Sequence, residues 1–127
     1  MPETTVRVAS VQATPVFLDL RASLEKACSL IVEAGRNGAA LVVLPEAFLP
    51  SFPYWVAGGS SGARPNNREN IELYARLLAN AVDVPGPAVT ALGEAAREAG
   101  AHVVIGVNER NADASGASMY NTVLYLD

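Results

Sequence analysis

The sequence of 127 residues has little of what several common functions require. It contains one cysteine and one histidine, which excludes an internal disulfide and leaves no cluster of the residue types that bind zinc. Positive charge is also scarce, because 13 Asp and Glu residues outnumber 9 Lys and Arg residues and the net charge is −4. This balance argues against a surface for nucleic acid or for an anionic membrane, so we expect neither partner.

Long apolar runs are missing as well. No stretch of about 18 apolar residues occurs, and we therefore expect no segment that crosses a membrane. The opening residues, MPETTVRVASVQ, lack a basic start followed by an apolar core, which predicts no secretory signal and a cytoplasmic location. Because 50% of the residues are hydrophobic and 17% are charged, the composition is typical of a single soluble domain with a buried core.

The apolar patterns predict strands that alternate with helices. Short β-branched or continuous apolar runs indicate buried strands, and a later alternating run indicates a fourth strand; the expected strands are residues 6–13, 41–44, 102–107 and 120–127. Apolar residues at helical spacing predict three helices between them, the second of which spans residues 69–81. Residues 50–68 are rich in Pro and Gly and are expected to form a long loop.

Capping residues support the first and third helices. Asp19 is placed to cap the first helix, and Gly35 or Gly38 to end it. Pro87 suits the first turn of the third helix, and Gly100 stops it. The order of elements predicts an α/β fold in which helices cover a sheet.

Glu46 has an unusual setting in LVVLPEAFLPSFPYW, residues 41–55. It follows a buried strand directly, and the residues around and after it include the rings of Phe48, Tyr54 and Trp55. Active residues of α/β folds lie where strands end, and a carboxylate partly desolvated by rings is suited to proton transfer. The alternative is a solvated loop residue, with the rings forming a small core of their own.

Glu109 follows the strand at 102–107 in the same way, so the two acids Glu46 and Glu109 could meet in one pocket. The neighbouring Arg110 could neutralise Glu109. His102, the only histidine, opens a strand and is expected to have an edge or surface role.

The stretch around Glu46 resembles the first catalytic segment of the nitrilases, in the carbon–nitrogen hydrolase superfamily. PEAF, PYW, GVNER and MYNTVLYLD occur in the family's order and spacing, and the resemblance covers the whole chain. It implies the N-terminal part of an αββα sandwich, with four strands and three helices present and the remainder absent. Residues 1–127 would then be the N-terminal portion of a single, apparently truncated, carbon–nitrogen hydrolase domain.

The resemblance implies a hydrolase that converts a nitrile to a carboxylic acid and ammonia through a cysteine thioimidate and an acyl-enzyme. Glu46 would be the general base of a Glu–Lys–Cys triad. Candidates to line the substrate pocket are Tyr54, Trp55, Phe48 and Glu109. The partner would be a small-molecule nitrile or amide, no cofactor or metal is implied, and the full-length enzyme is expected to be a homo-oligomer.

The lysine and cysteine of the triad are not expected in this chain. Its single lysine, Lys26, lies on the polar side of the first helix, and its single cysteine, Cys28, lies on the apolar side. The chain alone is therefore expected to be inactive and to be part of a longer or two-piece enzyme. Two alternatives stay open, an amide- or carbamoyl-cleaving member of the superfamily and a non-catalytic α/β interaction or assembly module.

Overall fold

A computed structural model describes residues 4–55, 68–113 and 115–127, and they form an α/β fold as predicted. The expected loop at 50–68 is described only at its two ends, and residues 56–67 lie outside the described residues. The four strands and three helices, in chain order, are β1 (Val8–Ser10), α1 (Leu20–Arg36), β2 (Leu41–Val43), α2 (Arg68–Ala79), α3 (Pro87–Ala99), β3 (His102–Arg110) and β4 (Met119–Leu126).

The four strands form one sheet in the order β1-β2-β3-β4. The first three are parallel, and β4 runs antiparallel to β3. This topology brings the carboxyl ends of β1, β2 and β3 to one edge of the sheet, where α/β folds place their sites. β3 continues to Arg110, beyond the end at residue 107 that the sequence predicted, because the hairpin with β4 pairs it from Val103 to Arg110.

One face of the sheet carries the core. Apolar side chains of α1 and α3 pack there against the strands; the buried members include Ala27, Ile31, Val42, Leu92, Val103, Ile105 and Val107. At the crossing of the two helices a β-carbon on Gly35 would stand 2.6 Å from the Cα of Ala99, so only glycine permits this approach. Gly35 thus lies within α1 and does not end it.

The expected caps of the helices are present. Asp19 Oδ1 accepts a hydrogen bond of 2.9 Å from the backbone N–H of Ala22 at the start of α1. Pro87 begins α3, and Gly100 ends it in the left-handed conformation.

One expectation about burial was wrong. β1 is a short strand at the edge of the sheet, and Val8 is 53% exposed because only β2 pairs with it. In α2, Leu77 is buried near the end of the helix, whereas Ile71 in its first turn is 59% exposed. Helical spacing alone does not tell which turns of a helix meet the core.

Among the described residues, no helix has both the length and the apolar composition needed to cross a membrane.

Candidate active site

The segment that carries Glu46 is a bulge held at both ends by β3. Gly106 donates its backbone N–H to the carbonyl of Pro45 at 3.2 Å, and its own carbonyl accepts from the N–H of Leu49 at 3.4 Å. The three residues between these two points, Glu46 to Phe48, therefore project from the line of the sheet just past the end of β2. A side chain on such a bulge is aimed by the sheet rather than by a free loop.

Gly106 also sets how closely the bulge approaches β3. A β-carbon on Gly106 would stand 2.5 Å from the N of Ala47 and 2.6 Å from the Cα of Glu46, closer than real atoms come. Ala47 adopts a positive φ of 49°, a conformation that costs free energy for a residue with a side chain. The backbone of Glu46 is thus fixed between a strand glycine and a strained neighbour.

The carboxylate of Glu46 is held by β4. Asn121 donates a hydrogen bond from Nδ2 to Oε1 of Glu46. Sequence reasoning did not single out Asn121, because its position opposite Glu46 depends on the register of the β3–β4 hairpin.

Buried polar residues fix the chain just after the bulge. Asn108 is 6% exposed and donates from Nδ2 to the carbonyl of Ser51 at 2.9 Å and, at 3.4 Å, to that of Leu49. Ser51, also buried, accepts at Oγ from the N–H of Leu18 at 3.4 Å. Because a buried amide is stable only when its hydrogen bonds are satisfied, Asn108 specifies where this loop runs.

A small cavity opens beside Glu46. Its volume is about 190 Å³, below the range of about 300–1,000 Å³ of most ligand pockets. It is lined by Ala13, Thr14, Pro15, Phe17, Pro45, Glu46, Ala47, Phe48, Ser51, Phe52 and Tyr54. Its lining is mostly apolar with one carboxylate, which suits a small substrate that reacts with a base.

The aromatic residues proposed for the pocket are placed differently from one another. Phe48 lines the cavity but is 1% exposed and belongs to the core, and Tyr54 lines the cavity while 73% exposed. Trp55 packs edge-on against Phe17 with ring centroids 5.8 Å apart, and its Nε1 is buried without a hydrogen-bond partner among the described residues. The side chain of Glu46 is exposed. The rings in the described part of the chain therefore do not desolvate its carboxylate as expected.

Glu109 does not join Glu46, which corrects the expectation that the two acids meet. Asn108 pairs with Asn121 across the hairpin, and Glu109 is the next residue along β3. Since side chains alternate along a strand, Glu109 points to the opposite face of the sheet from Asn121. There Glu109 Oε2 accepts a hydrogen bond of 2.7 Å from Thr122 Oγ1.

Arg110 does not neutralise Glu109 either. Its guanidinium donates to both carboxylate oxygens of Asp83, at 2.9 and 3.0 Å. These hydrogen bonds lower the pKa of Asp83 more than its partial burial raises it, and the charge of Arg110 lowers it further. The pair joins β3 to the segment before α3.

Neither Lys26 nor Cys28 reaches Glu46, as expected. Lys26 Nζ is exposed and donates to the carbonyl of Thr14 at 2.8 Å. Cys28 lies half-buried on α1, and its Sγ points to the carbonyl of Ala91 on α3 at 3.8 Å. Burial raises the pKa of the Cys28 thiol, a backbone hydrogen bond opposes this shift, and the charge of Glu94 adds to it, so the thiol is protonated at neutral pH.

Three larger hollows lie elsewhere, and Glu46 lines none of the three. One of about 390 Å³ follows β1 and α1, one of about 420 Å³ lies beside the Asp83–Arg110 pair, and one of about 500 Å³ lies between α1 and α3. In the described ranges, no group of three or more His, Cys, Asp and Glu side chains could hold a metal ion. His102 is exposed at the start of β3, away from the end at which Glu46 lies.

The chain is similar to known proteins along nearly its whole length. The family model for carbon–nitrogen hydrolases matches residues 7–127. The chain is 44% identical over 124 residues to a protein named nitrilase 2 from an unknown prokaryotic organism, which covers 98% of this chain and 37% of that protein. It is 38% identical over 125 residues to the aliphatic nitrilase of Rhodococcus rhodochrous, which covers 97% of this chain and 31% of that protein.

Among solved structures, a CN-hydrolase superfamily protein of Xanthomonas campestris shares the fold with a TM-score of 0.63 at 22% sequence identity, covering 95% of this chain and 36% of that one. The chain thus spans about a third of the length of the curated relatives it matches, in agreement with the expected partial fold. The chain belongs to the carbon–nitrogen hydrolase family of enzymes.

Proposed function

We propose that this chain supplies the general base, Glu46, of a nitrilase-type hydrolase that converts a nitrile to a carboxylic acid and ammonia. One observation carries the proposal. Glu46 lies on a bulge at the carboxyl end of β2, fixed by Gly106 and Asn121, and it lines a cavity. Two of the nitrilases to which this chain is similar are 38% and 44% identical to it.

The chemistry requires a base at this place. The thiol of a cysteine loses its proton to Glu46 and its sulfur bonds to the nitrile carbon. Glu46 then passes this proton to the nitrile nitrogen, which gives a thioimidate. One water then adds, ammonia leaves, and an acyl-enzyme remains. Glu46 takes a proton from a second water, whose oxygen bonds to the acyl carbon as the bond from that carbon to sulfur breaks. Glu46 returns the proton to the sulfur, so that the acid and the thiol are released. A lysine stabilises the charge of the tetrahedral intermediates.

The nucleophile and the lysine are proposed to come from residues outside this chain. Cys28 and its protonated thiol lie among the helices on the core face, whereas Asn121 holds Glu46 on the other face of the sheet. Lys26 is bonded to the backbone at Thr14. The 127 residues alone are therefore proposed to be inactive, and the complete enzyme is proposed to act as a homo-oligomer in the cytoplasm.

Phe48 and Tyr54 are proposed to contact the substrate, because both line the cavity with Glu46. Trp55 is proposed to support that wall through Phe17, which also lines it. Glu109 is left out of the pocket because it lies on the opposite face of the sheet.

The choice between nitrile and amide is tested with matched substrates. The complete enzyme that contains this chain is incubated with aliphatic and aromatic nitriles and with the corresponding amides, and ammonia and acid are measured together. We expect acid and ammonia in equal amounts from nitriles, at a higher kcat/KM than from the amides. Faster turnover of the amides would assign the protein to the amide-cleaving branch, and no turnover of either class would contradict the proposed function.

A further inference from the structure

We infer that Asn121 is a positioning residue for the general base: its side-chain amide holds the carboxylate of Glu46 in the orientation that catalysis needs. The inference rests on the proposed function of Glu46. Asn121 lies on β4, 75 positions from Glu46 in the sequence, and the base depends on it for its orientation.

The contact comes from the register of the hairpin. Asn121 lies directly opposite Asn108 in the β3–β4 pairing, so the two side chains share one face of the sheet. Gly106 lies on the same face, two residues before Asn108 on β3, and its missing side chain leaves the space that the backbone of Glu46 fills. A shift of register by one residue would turn the side chain of Asn121 to the core face and break the contact.

The two asparagines act on the same segment from one rung of the hairpin. Asn108 holds the carbonyls of Leu49 and Ser51 after the bulge, and Asn121 holds the carboxylate on the bulge itself. Backbone and side chain of the base are therefore anchored to the same pair of strands. Such support keeps a catalytic group within the small tolerance that proton transfer requires.

An amide is chemically suited to this task. The Asn121 amide donates without carrying charge, so it fixes one carboxylate oxygen and leaves the other free to accept a proton from a thiol or water. An aspartate of the same shape would place a second negative charge against Glu46 and could not donate when ionised.

The test compares four forms of the complete enzyme: wild type, Asn121→Ala, Asn121→Asp and Asn121→Gln. Because Asn121 is exposed, all four should fold and melt at similar temperatures. We expect kcat for ammonia release to fall about 10²-fold in Asn121→Ala, with KM nearly unchanged, since a misplaced base slows the chemical step. Asn121→Asp should fall further, and Asn121→Gln should recover part of the loss because it keeps the amide.

A matched control changes another exposed asparagine, Asn37, which follows α1, to aspartate and should retain the wild-type kcat. The ranking of kcat among the variants distinguishes a positioning role from a packing role. If Asn121 acted only by packing, the isosteric Asn121→Asp would keep the wild-type kcat. Full kcat in Asn121→Asp, or a loss in all variants that tracks only their melting temperature, would overturn the inference. An inactive wild type would instead overturn the proposed function, and the role of Asn121 would fall with it.

Discussion

The Cα atom of Glu46 lies directly over Gly106 of β3, where a β-carbon on residue 106 would stand only 2.6 Å away. The atoms that such a β-carbon would meet belong to the backbone of Glu46 and Ala47, and they cannot turn aside as a flexible side chain would. The glycine of GVNER is thus required by the residue proposed to be the base, 60 positions earlier in the chain.

The first prediction concerns Gly106→Ala. We expect it to destabilise the fold by about 1–3 kcal/mol, because overpacking against a backbone forces the bulge to move. In the complete enzyme it should also lower kcat for ammonia release, because Glu46 moves with the bulge. Urea denaturation and ammonia assays on the same preparation measure both effects.

Gly93→Ala is the matched control for this substitution. Gly93 lies inside α3, and a β-carbon there would meet nothing within 4 Å. This substitution should raise stability by about 0.5–1 kcal/mol and leave kcat unchanged, because alanine is the better helix former. Equal effects of the two substitutions would show that Gly106 is not a site of close contact.

The second prediction concerns the pH dependence of the Asp83–Arg110 pair. The hydrogen bonds from Arg110 hold the folded-state pKa of Asp83 below its usual value, which is about 3.9 in the unfolded chain. A lowered folded pKa gives stability that is fully present above the unfolded pKa and is lost as the pH falls through the folded pKa. The pair should therefore stabilise the fold at pH 7 and cease to do so in strong acid.

Urea denaturation of wild type and Asp83→Asn from pH 7 to pH 2 tests this sign. The difference in free energy of unfolding should be constant above about pH 5 and should shrink below about pH 4, because Asp83 then takes up a proton in the unfolded chain while Arg110 still keeps it ionised in the folded chain. Glu33→Gln, a change at an exposed acid on α1, serves as the control. A difference that grows as the pH falls would contradict the assigned direction of the pKa shift.

The third prediction concerns Cys28, which lies on α1 away from the candidate site. Because burial raises the pKa of its thiol, the folded 127-residue chain should react with iodoacetamide more slowly than an exposed thiol such as glutathione at pH 7. The rate should rise with pH above the ordinary thiol value of about 8.5, and unfolding in urea should remove the protection. Fast labelling of the folded chain at pH 7 would contradict the inert role given to Cys28.

The sequence was informative where local patterns decide the structure. Apolar period, Asp19, Pro87 and Gly100 predicted the three helices, and the β-branched runs predicted the four strands in their order. Glu46 stood out because it follows a buried run directly. Each of these signals involves residues within one element or one turn of chain, for which short-range sterics and hydrogen bonding are sufficient.

The features that the sequence did not predict correctly depend on pairing between strands that are far apart in the chain. Glu109 was expected beside Glu46, but β3 extends past it, and the alternation of side chains turns it to the other face. Asn121 was not singled out, because no local pattern gives the register that brings it to Glu46. The exposure of Val8 likewise depends on its strand lying at the edge of the sheet.

The most direct test of the central claim is the turnover of Glu46→Gln in the complete enzyme. Glutamine keeps the shape of the side chain but cannot take up a proton at neutral pH, so kcat for ammonia release from nitriles should fall by about 10²–10⁴-fold with folding intact. Glu33→Gln, the same chemical change at an exposed position on α1, should keep the wild-type rate. Nitrile turnover at the wild-type rate in Glu46→Gln would contradict the assignment of Glu46 as the general base.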